Sequence, residues 1–128
     1  MKKVLFTPKA PQPIGPYRQG IRIGNTLYTA GQIPIDTETG ELFDGSIADQ
    51  THLVMNHLNE ILKAGNMSFS HVVKSVIYLE TMDDFQTVNR IYAQYFENTT
   101  PPVRETVAVK TLPKNAKIEI SMIAIQDA

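Results

Sequence analysis

The segment that most constrains the fold is an isoleucine-rich run near the C-terminus, residues 117–125. Its β-branched content predicts a strand. Because side chains alternate between the two faces of a strand, Glu119 shares a face with Ser121, Ile123 and Ile125. A carboxylate on so apolar a strand must be paired, hydrated in a cleft or functional, since isolated burial is costly or forces the group neutral.

An arginine occupies a similar setting one strand earlier. Arg104 follows Pro101-Pro102-Val103 and opens the run 105–109, which also predicts a strand. A guanidinium grips a carboxylate through two parallel hydrogen bonds, so Arg104 is a candidate anion site. On residue type alone, a structural ion pair between Arg104 and Glu119 at a subunit boundary is favoured over catalysis.

Length and composition exclude several classes of protein. A chain of 128 residues predicts one domain, spanning residues 1–128. The net charge of −1 offers no field for nucleic acid or an anionic membrane, so neither is expected as a partner. The chain has no cysteine, which excludes disulfides, cysteine-bound metals and thiol nucleophiles. It has neither a signal-peptide pattern nor an apolar run long enough to span a membrane, and a cytoplasmic location is expected.

The order of predicted elements indicates an α+β fold. Prolines 8, 11, 13 and 16 make residues 1–16 an arm that is neither a helix nor a central strand. The rest reads β-β-α-β-α-β-β: a hairpin (21–23 and 26–30), a helix (46–64), a strand (72–79), a helix (83–96) and two final strands. This order predicts one mixed sheet with two helices packed on one face. Valine and isoleucine on both sides of several strands predict self-association through the other face.

Local signals mark the helix ends. Ser46, with Asp49 three residues on, is the expected N-cap of the first helix, and Gly65 its expected C-terminal stop. Thr81 is the expected N-cap of the second helix.

Other catalytic and metal-binding patterns are absent from the sequence. His52 and His57 lie five residues apart and do not share a helix face, so we expect surface or boundary residues and no zinc pair. No glycine-rich phosphate loop and no Ser/His/Asp triad can be argued from the spacing, and no metal site is predicted.

Taken together, the chain resembles the RidA family (reactive intermediate deaminase A, also called YjgF) from about Leu5 to Ile125. The motifs that carry the resemblance are Ala10-Pro11, Ile14-Gly15-Pro16-Tyr17, residues 27–34, Gln50-Thr51, residues 88–92, residues 101–104, Leu112-Pro113 and Ile118-Glu119-Ile120. Each motif is weak alone, but their ordered combination is specific.

The resemblance implies a chorismate-mutase-like fold that assembles as a homotrimer, with the sheets facing inward and three clefts between subunits. It implies hydrolytic deamination of reactive enamine and imine acids, namely 2-aminoacrylate with its tautomer 2-iminopropionate, and 2-iminobutyrate, to 2-keto acids and ammonia. Such intermediates are released by pyridoxal-phosphate enzymes, and the implied role is control of metabolite damage. The family itself uses no cofactor.

The resemblance also implies roles for the catalytic residues. Arg104 would clamp the substrate carboxylate, and Glu119 would hold and polarise the attacking water as a general base. Tyr17, from a neighbouring subunit, would wall the cleft near the imine or the water.

Four further positions are implied to bind substrate. The backbones of Gly31 and Thr106 would contact it, Asn89 would support the pocket, and Ala30 stands where many relatives carry a serine hydroxyl. Thr106 itself replaces a common cysteine. Further departures, which bear on the preferred substrate side chain, are Arg18, Glu105 and Ser121, of which Glu105 is expected to point away from Arg104.

Two other functions fit parts of the sequence. A regulatory trimer that binds a keto acid without turnover would need the same cleft and the same Arg104. RNA cleavage, which some relatives are described with, is disfavoured because the pI is near 6.3 and the chain shows no basic stripe.

Overall fold

A computed structural model describes residues 1–127 of the chain. These residues form six strands and two α-helices. In chain order they are β1 (Lys2–Leu5), β2 (Gly20–Ile23), β3 (Thr26–Thr29), α1 (Ile47–Ala64), β4 (Val72–Leu79), α2 (Phe85–Gln94), β5 (Val103–Ala108) and β6 (Ile118–Ile125). The predicted order of elements is confirmed from β2 onward.

The strands form one mixed sheet in the order β1-β2-β3-β6-β4-β5. Every neighbouring pair is antiparallel except β4 and β5, which are parallel because α2 carries the chain back between them. Residues of α1 and α2 share one core with alternate residues of β6, so both helices cover the same sheet face, as predicted. The core members on β6 are Ile118, Ile120, Met122 and Ala124.

The prediction for the N-terminal arm omitted strand β1. Lys2–Leu5 pairs antiparallel with β2 and lies at the edge of the sheet, which agrees with the exclusion of a central strand. Only Leu5 of its four residues is buried. An edge strand this short and this exposed leaves almost no alternating pattern in the sequence, and the prolines that dominate the arm come after it.

The helix N-caps follow the sequence signals. The Ser46 hydroxyl accepts a hydrogen bond from the Asp49 backbone N–H at 3.1 Å. Thr81 accepts one from the Asp83 N–H at 3.1 Å and opens a short 3₁₀ turn that leads into α2. At the end of α1, Gly65 has a φ of −96°, and the left-handed residue is Asn66, with a φ of 60°. The helix therefore stops at the glycine, and the left-handed turn comes one residue later.

The prediction of a surface or boundary position is wrong for His57. His57 is only 3% exposed, and its Nε2 donates a hydrogen bond to the Ile35 carbonyl at 2.8 Å. The loop after β3 folds back over this side of α1, which the helical pattern alone does not reveal. His52 is half-buried, with Nδ1 2.6 Å from the Tyr95 hydroxyl.

Candidate active site

Arg104 and Glu119 point to opposite faces of the sheet. Arg104 lies opposite Ser75 in the parallel β4–β5 pair, and Ser75 is fully buried on the face that the helices cover. Glu119 lies opposite Tyr78 on the other side of β4, and both side chains project from the open face. Strand β4 also separates their two strands. One chain therefore does not bring the two residues together, and no ion pair joins them.

The Arg104 guanidinium packs against two aromatic rings of α2. Its Cζ lies 5.6 Å from the centre of the Phe85 ring and 5.2 Å from that of Tyr92. Tyr92 is itself fixed, because its hydroxyl donates to Ser75 Oγ at 2.8 Å. A cation over two aromatic rings is attracted by their negative faces. These rings support the guanidinium while leaving its N–H edge available.

Asn89 fixes the orientation of Arg104. Asn89 Oδ1 accepts a hydrogen bond from Arg104 Nη1 at 2.7 Å. Within residues 1–127 no carboxylate lies within ion-pair distance of Arg104. The neighbouring Glu105 points to the other face, as predicted, and pairs with Lys74 at 3.2 Å. Arg104 is thus a positioned cation with donors left for an external anion.

Thr106 lies two residues beyond Arg104 on the same face of β5. It pairs in register with the buried Ile77. Its hydroxyl oxygen is buried and makes no hydrogen bond within the described chain. The structure thus brings three predicted site residues, Arg104, Asn89 and Thr106, to one margin between α2 and β5.

A β-bulge between β3 and β6 shapes the backbone next to Glu119. Tyr28 pairs with Ile123 and Gln32 pairs with Ile120. Between these two pairs, the chain that continues β3 has three residues (29–31) where β6 has two (121–122). The Thr29 hydroxyl accepts the Met122 N–H at 2.9 Å within this interval. Bulges of this kind redirect side chains beside functional sites. Here the extra residue brings Gly31 against the side chain of Glu119.

Gly31 leaves room for the Glu119 carboxyl group. A β-carbon placed on Gly31 would lie 2.8 Å from Cδ of Glu119, closer than real contacts allow. Within the described chain the carboxylate forms no ion pair, and its half-burial raises the pKa of Glu119 above the ordinary glutamate value. A raised pKa brings the carboxylate nearer to neutrality and makes it a stronger base for water.

The N-terminal arm forms a wall beside Gly31. Tyr17 is half-exposed and lines, with Gly31, a cavity of about 200 Å³ between the arm and the loop after β3. The buried Gln19 side chain ties the arm down: its Oε1 accepts the Thr7 N–H at 2.8 Å, and its Nε2 donates to the Thr7 carbonyl at 3.0 Å. The Ala30 N–H donates to the Gln19 carbonyl at 2.9 Å, so Ala30 connects the bulge to the arm.

The predicted site residues therefore form two groups. Arg104, Asn89 and Thr106 lie at the α2–β5 margin, while Glu119, Gly31, Ala30 and Tyr17 lie near the bulge and the arm. Sequence reasoning missed the aromatic support of Arg104 and the role of Gln19. Phe85 and Tyr92 could have been found from their spacing on the face of α2 that also carries Asn89. The amide of Gln19 gave no local signal, because its partners lie along the arm.

The described part of the chain offers neither a metal-binding cluster nor a membrane-spanning helix. No group of three or more histidine, cysteine or acidic side chains in residues 1–127 is placed to hold a metal ion. No helix in that part of the chain is long and apolar enough to cross a membrane.

The fold and the site define a class of protein: an α+β domain with a supported arginine and a desolvated glutamate on opposite faces of one sheet. Comparison with known proteins gives the family. The family model described as "Endoribonuclease L-PSP" matches residues 7–126. The chain belongs to this family, which is the YjgF/RidA family that the sequence resembles.

Individual relatives cover nearly the whole chain. A "RutC family protein" of Pyrococcus horikoshii is 48% identical over 99% of this chain and 100% of its own length. The human "2-iminobutanoate/2-iminopropanoate deaminase" is 41% identical over 98% of this chain and 91% of its own. The crystal structure of E. coli TdcF with bound serine superposes with a TM-score of 0.94, at 36% identity, over 98% of this chain and 99% of that one.

Proposed function

We propose that the protein is a hydrolase that converts 2-imino acids and their enamine tautomers, such as 2-aminoacrylate, to 2-keto acids and ammonia. The observation that carries the proposal is Arg104, a guanidinium positioned by Asn89 and two rings yet paired with no carboxylate of residues 1–127. A carboxylate is the one charged group that every such substrate has. The 41% identity to a protein named 2-iminobutanoate/2-iminopropanoate deaminase supports the proposal.

In the proposed reaction Arg104 binds the substrate carboxylate and Glu119 acts on water. Glu119 accepts a proton from water as the water oxygen bonds to the carbon of the protonated imine, which gives a neutral tetrahedral amino alcohol. That proton then passes from Glu119 to the amino nitrogen and the C–N bond breaks as ammonia leaves. The hydroxyl proton passes through Glu119 to solvent as the C=O bond forms. An imine carbon is already electrophilic, so positioning and one base meet the chemical demand, and the proposal needs no cofactor.

The proposed site is assembled by two copies of the chain. Arg104 of one copy and Glu119 of the next would face each other across a subunit boundary, with Tyr17 as a wall. A homotrimer with three such clefts would cover the open sheet face, on which Tyr28 is 48% and Val107 48% exposed. Sedimentation at micromolar concentration is expected to give the mass of three chains, and a monomer would contradict this assembly.

The test is the decay of 2-iminopropionate and 2-iminobutyrate, generated by an amino-acid oxidase and followed by semicarbazide trapping. We expect the wild type to accelerate decay and Arg104→Ala to lose nearly all of the acceleration. Arg90→Ala is the matched control, because Arg90 is an exposed arginine on α2, the helix against which Arg104 packs. It is expected to behave as the wild type.

A second function has one observation in its favour, the serine bound to TdcF. A protein that binds a small carboxylate without turnover would use the same Arg104. No acceleration by the wild type, together with saturable keto-acid binding that Arg104→Ala abolishes, would replace the hydrolase proposal by this one.

A further inference from the structure

The cavity beside Gly31 is not needed for the smallest substrates. It has a volume of about 200 Å³ and lies between the N-terminal arm and the loop after β3. A water molecule occupies about 30 Å³ of the liquid, so the space corresponds to about seven waters. A methyl group, the whole side chain of 2-iminopropionate, would fill only a small part of it.

The cavity adjoins the proposed reacting centre. Gly31 lines it and also touches the Glu119 carboxyl group, and Tyr17 lines it from the arm. A substrate whose imine carbon lies near Glu119 therefore has this space within reach of its side chain. The cavity therefore lies beside the proposed site. The buried Gln19 fixes the position of the arm that forms one wall of the cavity, because its amide bonds to three carbonyls of the arm.

The lining is mostly apolar, although the polar residues Gln12, Gln32 and Thr37 also contribute to it. The hydrocarbon surface comes from Pro8, Ala10, Pro11, Ile14, Ile33 and Ile35. The Gln19 amide also lines the cavity, but its Nε2 already donates to the carbonyls of Thr7, Ala10 and Pro11, and its Oε1 already accepts a backbone N–H. Lys114 is the one charged lining residue, and it is exposed. The chemistry that matches this surface is a hydrocarbon side chain.

We propose that this cavity is the side-chain pocket of the site, and that the preferred substrates are 2-imino acids with apolar side chains of about four carbons. The imine of leucine, 2-imino-4-methylpentanoate, is the reference case. This inference rests on the proposed function and extends it to a substrate class. Burying one methylene corresponds to about a fourfold gain in affinity, so three extra carbons are expected to raise kcat/KM at least tenfold over 2-iminopropionate.

The first test compares kcat/KM for the two imines in the wild type and in Ile33→Phe. Ile33 is half-exposed, and phenylalanine there places a larger side chain at the cavity wall. The leucine-derived imine is expected to lose at least fivefold, while 2-iminopropionate changes less than twofold. Ile23→Phe, the same exchange on β2 away from the cavity, is the control and should leave the ratio unchanged. Turnover of 2-iminopropionate shows in each variant that the protein is folded.

The second test removes turnover from the measurement. Titration calorimetry with keto-acid products is expected to show 4-methyl-2-oxopentanoate binding at least tenfold more tightly than pyruvate, with Ile33→Phe reducing that ratio. 2-Oxoglutarate is expected to bind no more tightly than pyruvate. Tighter binding of 2-oxoglutarate than of 4-methyl-2-oxopentanoate would mean that Lys114 selects an acidic side chain, and the apolar assignment would be wrong.

The outcomes separate the two proposals. A wild type that hydrolyses 2-iminopropionate faster than the leucine-derived imine, or a ratio that Ile33→Phe leaves unchanged, overturns the pocket assignment alone. No acceleration of any imine overturns the hydrolase, whereas selective binding of 4-methyl-2-oxopentanoate would still support the pocket.

Discussion

Glu119 and Arg104 project from opposite faces of one sheet, with β4 between their strands. In a single chain the proposed base and the proposed carboxylate clamp cannot act on one small molecule. The geometry instead suits a cyclic assembly, in which one face of each copy meets a different face of the next. Activity would then be a property of the boundary between copies.

Subunit complementation tests this arrangement. Arg104→Ala and Glu119→Gln are each expected to be inactive, but unfolding and refolding them together in equal amounts should restore activity. In random trimers about three-quarters are mixed, and one cleft in three of each mixed trimer would be intact, so about a quarter of wild-type activity is expected. Refolding each variant alone is the control. A mixture that stays inactive although mixed trimers form would place both residues in one chain's site.

Asn89 is expected to act through Arg104. Asn89→Ala removes the 2.7 Å hydrogen bond and should lower kcat/KM at least tenfold, mainly through KM, because one charge-assisted hydrogen bond is worth about 1.5–3 kcal/mol. Asn89→Asp should raise KM further, because a carboxylate there would compete with the substrate for the guanidinium. Gln86→Ala, at an exposed amide of the same helix, is the control. Equal KM values for the two Asn89 variants would argue against this role.

Gly31→Ala should displace the Glu119 carboxyl group. The added carbon would lie 2.8 Å from Cδ of Glu119, so one of the two must move, and kcat is expected to fall at least tenfold. Gly15→Ala is the control, because a carbon there would meet only the Tyr17 ring, at an ordinary 3.6 Å.

A double-mutant cycle shows whether the clash is the cause. Glu119→Asp shortens the side chain, so it should cost less activity in the Gly31→Ala background than in the wild type. Additive losses would show that Gly31 acts on something other than Glu119.

Much of the fold was predictable because local signals agree with the final structure. Helix α1 has a serine N-cap and an apolar stripe, and the β-branched run of β6 forms a strand in which buried and half-buried residues alternate up to Ala124. The positions of Arg104 and Glu119 on strands followed from the same patterns. The sequence did not predict that the two side chains project from opposite faces of the sheet, because that depends on the pairing register. Arg104 pairs with Ser75, and Glu119 pairs with Tyr78.

The structural features that the sequence did not predict all depend on contacts between residues distant along the chain. The bulge before Gly31 exists only relative to β6, and edge strand β1 is defined by its partner β2. The cavity is formed by an arm that Gln19 anchors through partners eight to twelve residues away. None of these leaves a periodic pattern.

Glu119→Gln should abolish activity and raise the stability of the fold at neutral pH. Because the folded pKa of Glu119 is raised by burial, the folded state favours the protonated carboxyl group. As the pH rises from the ordinary glutamate value through the raised pKa, ionisation costs the wild type stability that glutamine does not lose. The variant should be inactive, with a higher Tm than the wild type at pH 7.5 and a difference that shrinks towards pH 4. Glu97→Gln, at an exposed glutamate, should show no such difference. A Tm advantage that is constant with pH would rule out ionisation as its origin.

His57 should make the fold sensitive to acid. Burial lowers the pKa of His57, and the hydrogen bond to the Ile35 carbonyl opposes that shift only in part. In the unfolded chain a histidine takes up a proton near pH 6.5, whereas the folded state resists it, so stability should fall as the pH drops from about 6.5 to the lowered pKa. His57→Gln can still donate to the Ile35 carbonyl but does not titrate in this range. Its Tm should be lower than that of the wild type at pH 7.5, and the gap should narrow by pH 5. If the gap is the same at both pH values, the buried imidazole is not the acid-sensitive group.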